Sequence, residues 1–415
     1  MPLRPASASD LLIDGKQVAG SGGTFDIVNP ATEEIVGQAA DATAEDMSAA
    51  IAAARNAFDT TDWSRDHALR ARCLRQLRDA LLAHADEFRE ITVAEVGCPV
   101  FLTHGPQLEG PITDLGYFAD LAETYEWTRD LGEAKPMGLK NRRELRAEAA
   151  GVVGAITPWN FPHQINFAKI GPALAAGCTV VLKPAPDTPW CAALVGKVIA
   201  EETDFPPGVI NIVTSSDHAL GAQLATDPRV DIVSFTGSTA TGKKVMAAAS
   251  ESLKKVFLEL GGKSAFIVLD DADLASACSM AAFAVVTHAG QGCAITTRLL
   301  VPRSKLDEAI AITRDSLAGL AAGDPTDSGT ICGPVISAAQ RQRVESYIEL
   351  ARSEGGTIEI GGGRPVGRDK GFFVEPTLIS GLDNTSRVAQ EEIFGPVLVI
   401  IPVSYTHLTL PTSDL

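Results

Sequence analysis

The sequence predicts an α/β protein built around a parallel, doubly wound sheet, and three observations carry that prediction. Short apolar runs recur at Val152–Ile156, Thr179–Leu182, Val209–Val213, Asp231–Phe235 and Val256–Leu260. Helical stretches separate them, at Pro162–Ala176, Pro189–Glu202, His218–Thr226 and Thr239–Ser252. The links between them are short. Parallel neighbours need a crossover, and a helix is the usual one.

The flanking elements follow from the same reading. Met47, Ile51, Ala54 and Phe58 share one face of a helix over 43–58, with Thr43 as its cap. A helical block runs from Asp66 to Glu95 and ends at Gly97 and Pro99. The charged stretch from Ala119 to Ala150 lacks a clean period and reads as a connector with a projecting hairpin. Beyond Gly262 a second α/β unit is expected. Its strands are Ser264–Leu269 and Arg298–Val301, and its helices Ala272–Thr287, Ser304–Leu320 and Ser337–Glu354.

Composition bounds the function. Of 415 residues 52 are acidic and 35 basic, a net charge of −17, which opposes a nucleic-acid partner because a phosphate backbone needs a basic face. The 45% of hydrophobic residues suffices for a large core. The apolar stretch Met280–Val286 is too short to span a bilayer, and no secretory signal is expected at Met1–Leu12. The 7 cysteines are scattered, with no CxxC pair, so neither a zinc site nor a disulfide framework is expected. The expected compartment is the reducing cytoplasm.

In a doubly wound sheet, ligands lie beyond the carboxyl ends of the strands. The first run is followed by Thr157-Pro158-Trp159-Asn160-Phe161-Pro162, and the second by Lys183-Pro184-Ala185. The fourth leads into Gly237, Ser238 and Gly242, and the fifth into Glu259-Leu260-Gly261-Gly262. A structural domain has no need of an Asn, a Lys and a Glu at three such exits. Gly237 to Lys244 nearly matches a nucleoside-triphosphate loop, but Lys244 stands where a hydroxyl should bind magnesium. That disfavours a phosphotransferase. What remains is a Gly-rich turn whose amides and helix dipole suit a pyrophosphate.

Cys293 lies in Gly290-Gln291-Gly292-Cys293-Ala294, where small neighbours leave a thiol reachable. Glu259 sits in an apolar run, and a glutamate is rarely buried without purpose. Asn160 offers an amide N–H to an oxyanion. Thiol, carboxylate, amide and pyrophosphate loop together suit covalent attack on a carbonyl beside a dinucleotide.

With these residues the chain resembles the NAD(P)-dependent aldehyde dehydrogenases from about Leu12 to Pro402. The resemblance also rests on Asn29-Pro30-Ala31-Thr32, Glu95-Val96-Gly97, Gly333-Pro334, Glu375-Pro376-Thr377 and Glu391–Pro396. It implies a cofactor domain from 1–126 and 150–261, a bridging and oligomerisation hairpin at 127–149, and a catalytic domain at 262–402. It further implies that Cys293 attacks the aldehyde carbon and that Asn160 and the Cys293 N–H hold the oxyanion. Hydride passes to the nicotinamide, Glu259 activates water against the thioester, and Lys169 relays a proton.

For the cofactor, the resemblance implies Thr157, Pro158, Trp159, Lys183, Ala185, Pro186, Gly237, Ser238, Gly242, Leu260 and Gly261, with Glu392 and Phe394 at the nicotinamide ribose. Phe161, Gly292 and Ala294 would line the substrate tunnel. The partner is a small aldehyde, and the full-length form is a homodimer or homotetramer. No metal is implied.

Three departures stand out. Pro186 replaces the carboxylate with which NAD-preferring members grip the adenosine ribose, so NADP is admitted beside a slightly preferred NAD. His288, where an asparagine is usual, reads as a packing residue. From Val403 to Leu415 the text leaves the family pattern and back-translates to a transposon-type sequencing adapter, so 403–415 is expected to be an artefactual tail. A chain ending so is expected to be poorly soluble and inactive as written, a fragment that at most binds nucleotide.

Overall fold

The structure, a computed structural model, describes residues 10–404. Strands β1 (Leu11–Ile13), β2 (Lys16–Val18), β3 (Thr24–Val28) and β4 (Ile35–Ala40) open the chain, followed by helices α1 (Ala44–Thr60), α2 (His67–Ala83), α3 (Ala85–Val96) and α4 (Glu109–Thr124). Thr43 and Asp46 form a capping box on α1, and Asp66 caps α2. Gly97 ends α3 in the left-handed conformation that glycine adopts without penalty. The unperiodic stretch from Ala119 is only partly a connector. Helix α4 runs on to Thr124, and β5 (Thr128–Ala134) then pairs with β6 (Asn141–Arg146) as an exposed antiparallel hairpin.

The alternating region follows as β7 (Val152–Ile156), α5 (Pro162–Ala175), β8 (Thr179–Lys183), α6 (Pro189–Glu202), β9 (Ile210–Ile212), α7 (Ala219–Thr226), β10 (Ile232–Gly237), α8 (Thr239–Ser250) and β11 (Lys255–Leu260). These strands join β1 and β2 in a seven-stranded sheet of order β11-β10-β7-β8-β9-β1-β2, parallel from β11 to β9. Winding reverses between β7 and β10, and a crevice forms beyond the strand ends at such a reversal.

The second sheet uses β12 (Ser264–Ile267), β13 (Thr296–Pro302), β14 (Thr357–Ile360), β15 (Thr377–Ser380) and β16 (Val397–Val403) in the order β12-β13-β16-β15-β14. Helices α9 (Leu274–Val286), α10 (Leu306–Ala318) and α11 (Ala338–Ser353) belong to this unit. Its core joins Val285 and Val286 of α9 with Leu299, Leu300, Leu398 and Ile400 of the central strands. Val403, the first residue assigned to the expected tail, is the last of β16 and pairs with Pro302. Residues 405–415 of that tail lie outside the described residues.

Candidate active site

Where the winding reverses, a cavity of about 730 Å³ opens. Thr157, Pro158 and Trp159 line it from the exit of β7, Lys183, Ala185 and Pro186 from that of β8, and Gly237 and Ser238 from that of β10. Lys183 is 3% exposed, and its Nζ lies 3.5 Å from the Pro184 carbonyl oxygen. Burial pushes its ammonium down to about 8, with Asp217 and Asp41 pulling the other way. Ser238 caps α8 by accepting from the Thr241 N–H at 3.2 Å, and the helix dipole points into the cavity. Gly242 makes room for Leu260, whose Cδ2 would lie 2.6 Å from a Cβ there and would have to move.

The lining also includes Asp187, His218 and Lys244, which the sequence reading left out of the site. Lys244 had been weighed only as a failed magnesium ligand. A buried cation and a helix N-terminus in one cleft fit a dinucleotide pyrophosphate and its ribose hydroxyls.

Beside the cavity lies the thiol loop. Of the seven cysteines, all within the described residues, six are buried and Cys293 is exposed. The loop begins with His288 and Ala289 at φ of 49° and 52°, a conformation unfavourable to side chains. Gly290 has no room for a Cβ, which would meet the Gly395 carbonyl oxygen at 2.0 Å. This contact joins the thiol loop to the segment carrying Glu392 and Phe394. His288 is buried with its ring edge-on to Phe161 at 5.3 Å, and burial lowers its basicity to about 4, so the imidazole is neutral.

Asn160 is 6% exposed, and its Nδ2 donates to the Gln291 carbonyl at 2.8 Å, two residues from Cys293. Gly262 also faces the loop, with its Cβ position 3.8 Å from the Cys293 carbonyl oxygen. Glu392 Oε1 accepts from the Gly262 N–H at 3.2 Å, and the carboxylate fills the space a side chain at Gly261 would need. Burial raises the Glu392 pKa. Phe394 meets Trp159 edge-on at 5.4 Å. Gly292 adjoins Phe161, and Ala294 is exposed beside the thiol.

Glu259 departs from the expectation of burial. It is exposed, because β11 is the edge of its sheet and its side chains alternate, so that Lys255, Phe257 and Glu259 share the open face. Lys169, on α5, is 6% exposed, donates to Ser234 Oγ at 2.9 Å and lies over the Phe257 ring at 5.9 Å. Burial pushes its ammonium down to about 8, opposed by the Glu259 carboxylate.

Fold and cleft together define an α/β protein with a crevice suited to a dinucleotide. The family model described as the aldehyde dehydrogenase family matches residues 17–409. The 3-succinoylsemialdehyde-pyridine dehydrogenase of a Pseudomonas species is 41% identical over 95% of this chain and 81% of its own length. An aldehyde dehydrogenase of Mycobacterium tuberculosis complexed with NAD+ superposes with a TM-score of 0.91 at 41% identity, covering 96% of this chain and 81% of the other. Aldehyde dehydrogenase C of Pseudomonas syringae, complexed with NAD+ and octanal, gives 0.90 at 36% identity over 97% and 81%.

The chain belongs to the aldehyde dehydrogenase family. It is an NAD(P)-linked enzyme that oxidises an aldehyde to a carboxylic acid. The phosphotransferase reading gives way to this one. Among the described residues no helix is long and apolar enough to cross a membrane, and no cluster of His, Cys, Asp and Glu could hold a metal ion.

Proposed function

We propose that Cys293 is the nucleophile, Asn160 the oxyanion donor, Glu259 the base for hydrolysis and Lys169 its proton relay. The observation that carries this reading is the Asn160 amide held 2.8 Å from the Gln291 carbonyl, on the loop that exposes Cys293. The thiolate adds to the aldehyde carbon, a C–S bond forms, and the carbonyl oxygen takes the negative charge. The second Nδ2 hydrogen of Asn160 and the Cys293 N–H stabilise that charge. Bound NAD(P) would accept the hydride that leaves the tetrahedral carbon as the C=O bond re-forms, and a thioester to Cys293 remains. Glu259 then takes a proton from water as its oxygen attacks the thioester, and the C–S bond breaks to return the thiolate. Lys169 accepts a proton in its neutral form and passes it outward.

Glu259 favours hydrolysis over acyl transfer, so coenzyme A should not divert product. Acyl-CoA formation in its presence would count against this assignment. Asn160→Ala should lower turnover by roughly 10²- to 10³-fold. Near-normal NADH formation in that variant removes Asn160 from the mechanism.

For the cofactor we place NAD slightly ahead of NADP. Pro186 offers no carboxylate to repel a 2′-phosphate, and Lys183 and Lys244 line the same cavity. Comparing kcat/KM for the two tests this, and a complete lack of turnover with NADP refutes the admission of both. The working domains are 1–126 with 150–261 for the cofactor, 127–149 as the bridging hairpin and 262–402 for catalysis. A cytoplasmic homodimer or homotetramer completes the proposal. The unpaired edge of β11, with half-exposed Phe257, supports assembly.

A further inference from the structure

We infer that Gln107 is a positioning residue that fixes the orientation of the Asn160 amide, an inference resting on the oxyanion role just proposed. Asn160 lies between Pro158 and Pro162, and Pro162 has no N–H with which to fasten the loop. Gln107 stands in the link before α4, fully buried, and its Nε2 donates to the Asn160 main-chain oxygen at 2.8 Å. On the opposite side Asn160 Nδ2 donates to the Gln291 carbonyl at 2.8 Å. Gln291 is itself anchored. Its Oε1 accepts from the Ile336 N–H at 2.9 Å, and its Nε2 donates to the His288 carbonyl at 3.2 Å.

Two separate elements thus hold the two ends of one residue. A carbonyl only accepts, so the Asn160 nitrogen, and not its oxygen, must face the thiol loop. An amide nitrogen carries two hydrogens. Gln291 engages one, and the other is free for an oxyanion on the carbon bonded to Cys293. Without the Gln107 bond the main chain at Asn160 can shift, and the free N–H leaves its line to the substrate oxygen. Small misplacements of a preorganised donor are costly.

The test is a double-mutant cycle on the full chain. Gln107→Met keeps the length of the side chain and removes the donor. It should lower kcat about tenfold. NAD affinity and the rate of Cys293 labelling by iodoacetamide should stay within about twofold. In the Asn160→Ala background the same change should cost nothing further, because the group it positions is gone. An equal loss in both backgrounds makes Gln107 merely structural and overturns the inference. So does a normal kcat in Gln107→Met. If Gln107→Met does not fold, Gln107→Leu, apolar and without a donor, enters the same cycle under the same criteria. Normal turnover in Asn160→Ala alone instead defeats the oxyanion assignment, so the two failures are distinguishable.

Discussion

The crevice over the seven-stranded sheet and the thiol loop beside the five-stranded sheet are built in opposite ways. The crevice takes its residues from the exits of three adjacent strands, β10, β7 and β8, where parallel pairing fixes the backbone. The thiol loop does not leave the end of a strand but follows α9 and precedes β13. It is held by left-handed residues, by a glycine pressed on the Gly395 carbonyl, and by the Asn160 amide. A site supported by a sheet tolerates small side-chain changes. A site held by a few close contacts does not, so substitutions should separate the two regions by the size of their effect.

Cys293→Ala should have the largest effect, with turnover falling by at least ~10⁴-fold while the crevice still binds NAD. Calorimetry on the variant checks this, and a simultaneous loss of binding would show that the two regions are not independent. Next is Glu259→Gln. Release of acid should slow by roughly 10²- to 10⁴-fold while the first burst of NADH persists. A lost burst would move Glu259 to an earlier step.

Lys169 gives a pH signature. Its ammonium is pushed down to about 8 from 10.5, so the neutral form needed to accept a proton is gained as pH rises through that value. Turnover should climb through a limb near pH 8, and Lys169→Met should erase the limb. The sign for stability agrees. Between pH 8 and 10.5 the unfolded chain binds the extra proton, so this group makes folding more favourable as pH rises across that window. Urea midpoints for wild type and Lys169→Met test it. The smallest effect belongs to the crevice. Ser238→Ala removes the cap of α8 and should cost about 1 kcal/mol, with little change in kcat.

Much of this was legible in the sequence, for physical reasons that differ by residue. Strand and helix alternation exposed the doubly wound sheet because a fully buried parallel strand must be apolar on both faces. The end strand β11 obeys a different rule. Its period-2 exposure leaves Glu259 open, yet neighbouring Val256 and Leu258 make the run read as buried. Helix α4 escaped notice because Gly110, Pro111 and Gly116 dilute its apolar stripe, although a proline in the first turn is harmless. Gln107 was invisible. A lone glutamine carries no motif, and the peptide it holds lies 53 positions away. Lys244 reads in the motif only as a residue that cannot hold magnesium, and its place in the crevice lining carries no signal there.

Leu260 directly follows Glu259, and its side chain fills the notch that Gly242 leaves in α8. The first turn of that helix is the wall on which a pyrophosphate would rest. Stiffening the turn therefore stiffens the end of the strand that presents the carboxylate. The proposed pyrophosphate wall and the proposed base therefore adjoin through one leucine, and a bulkier residue at 242 should press on both.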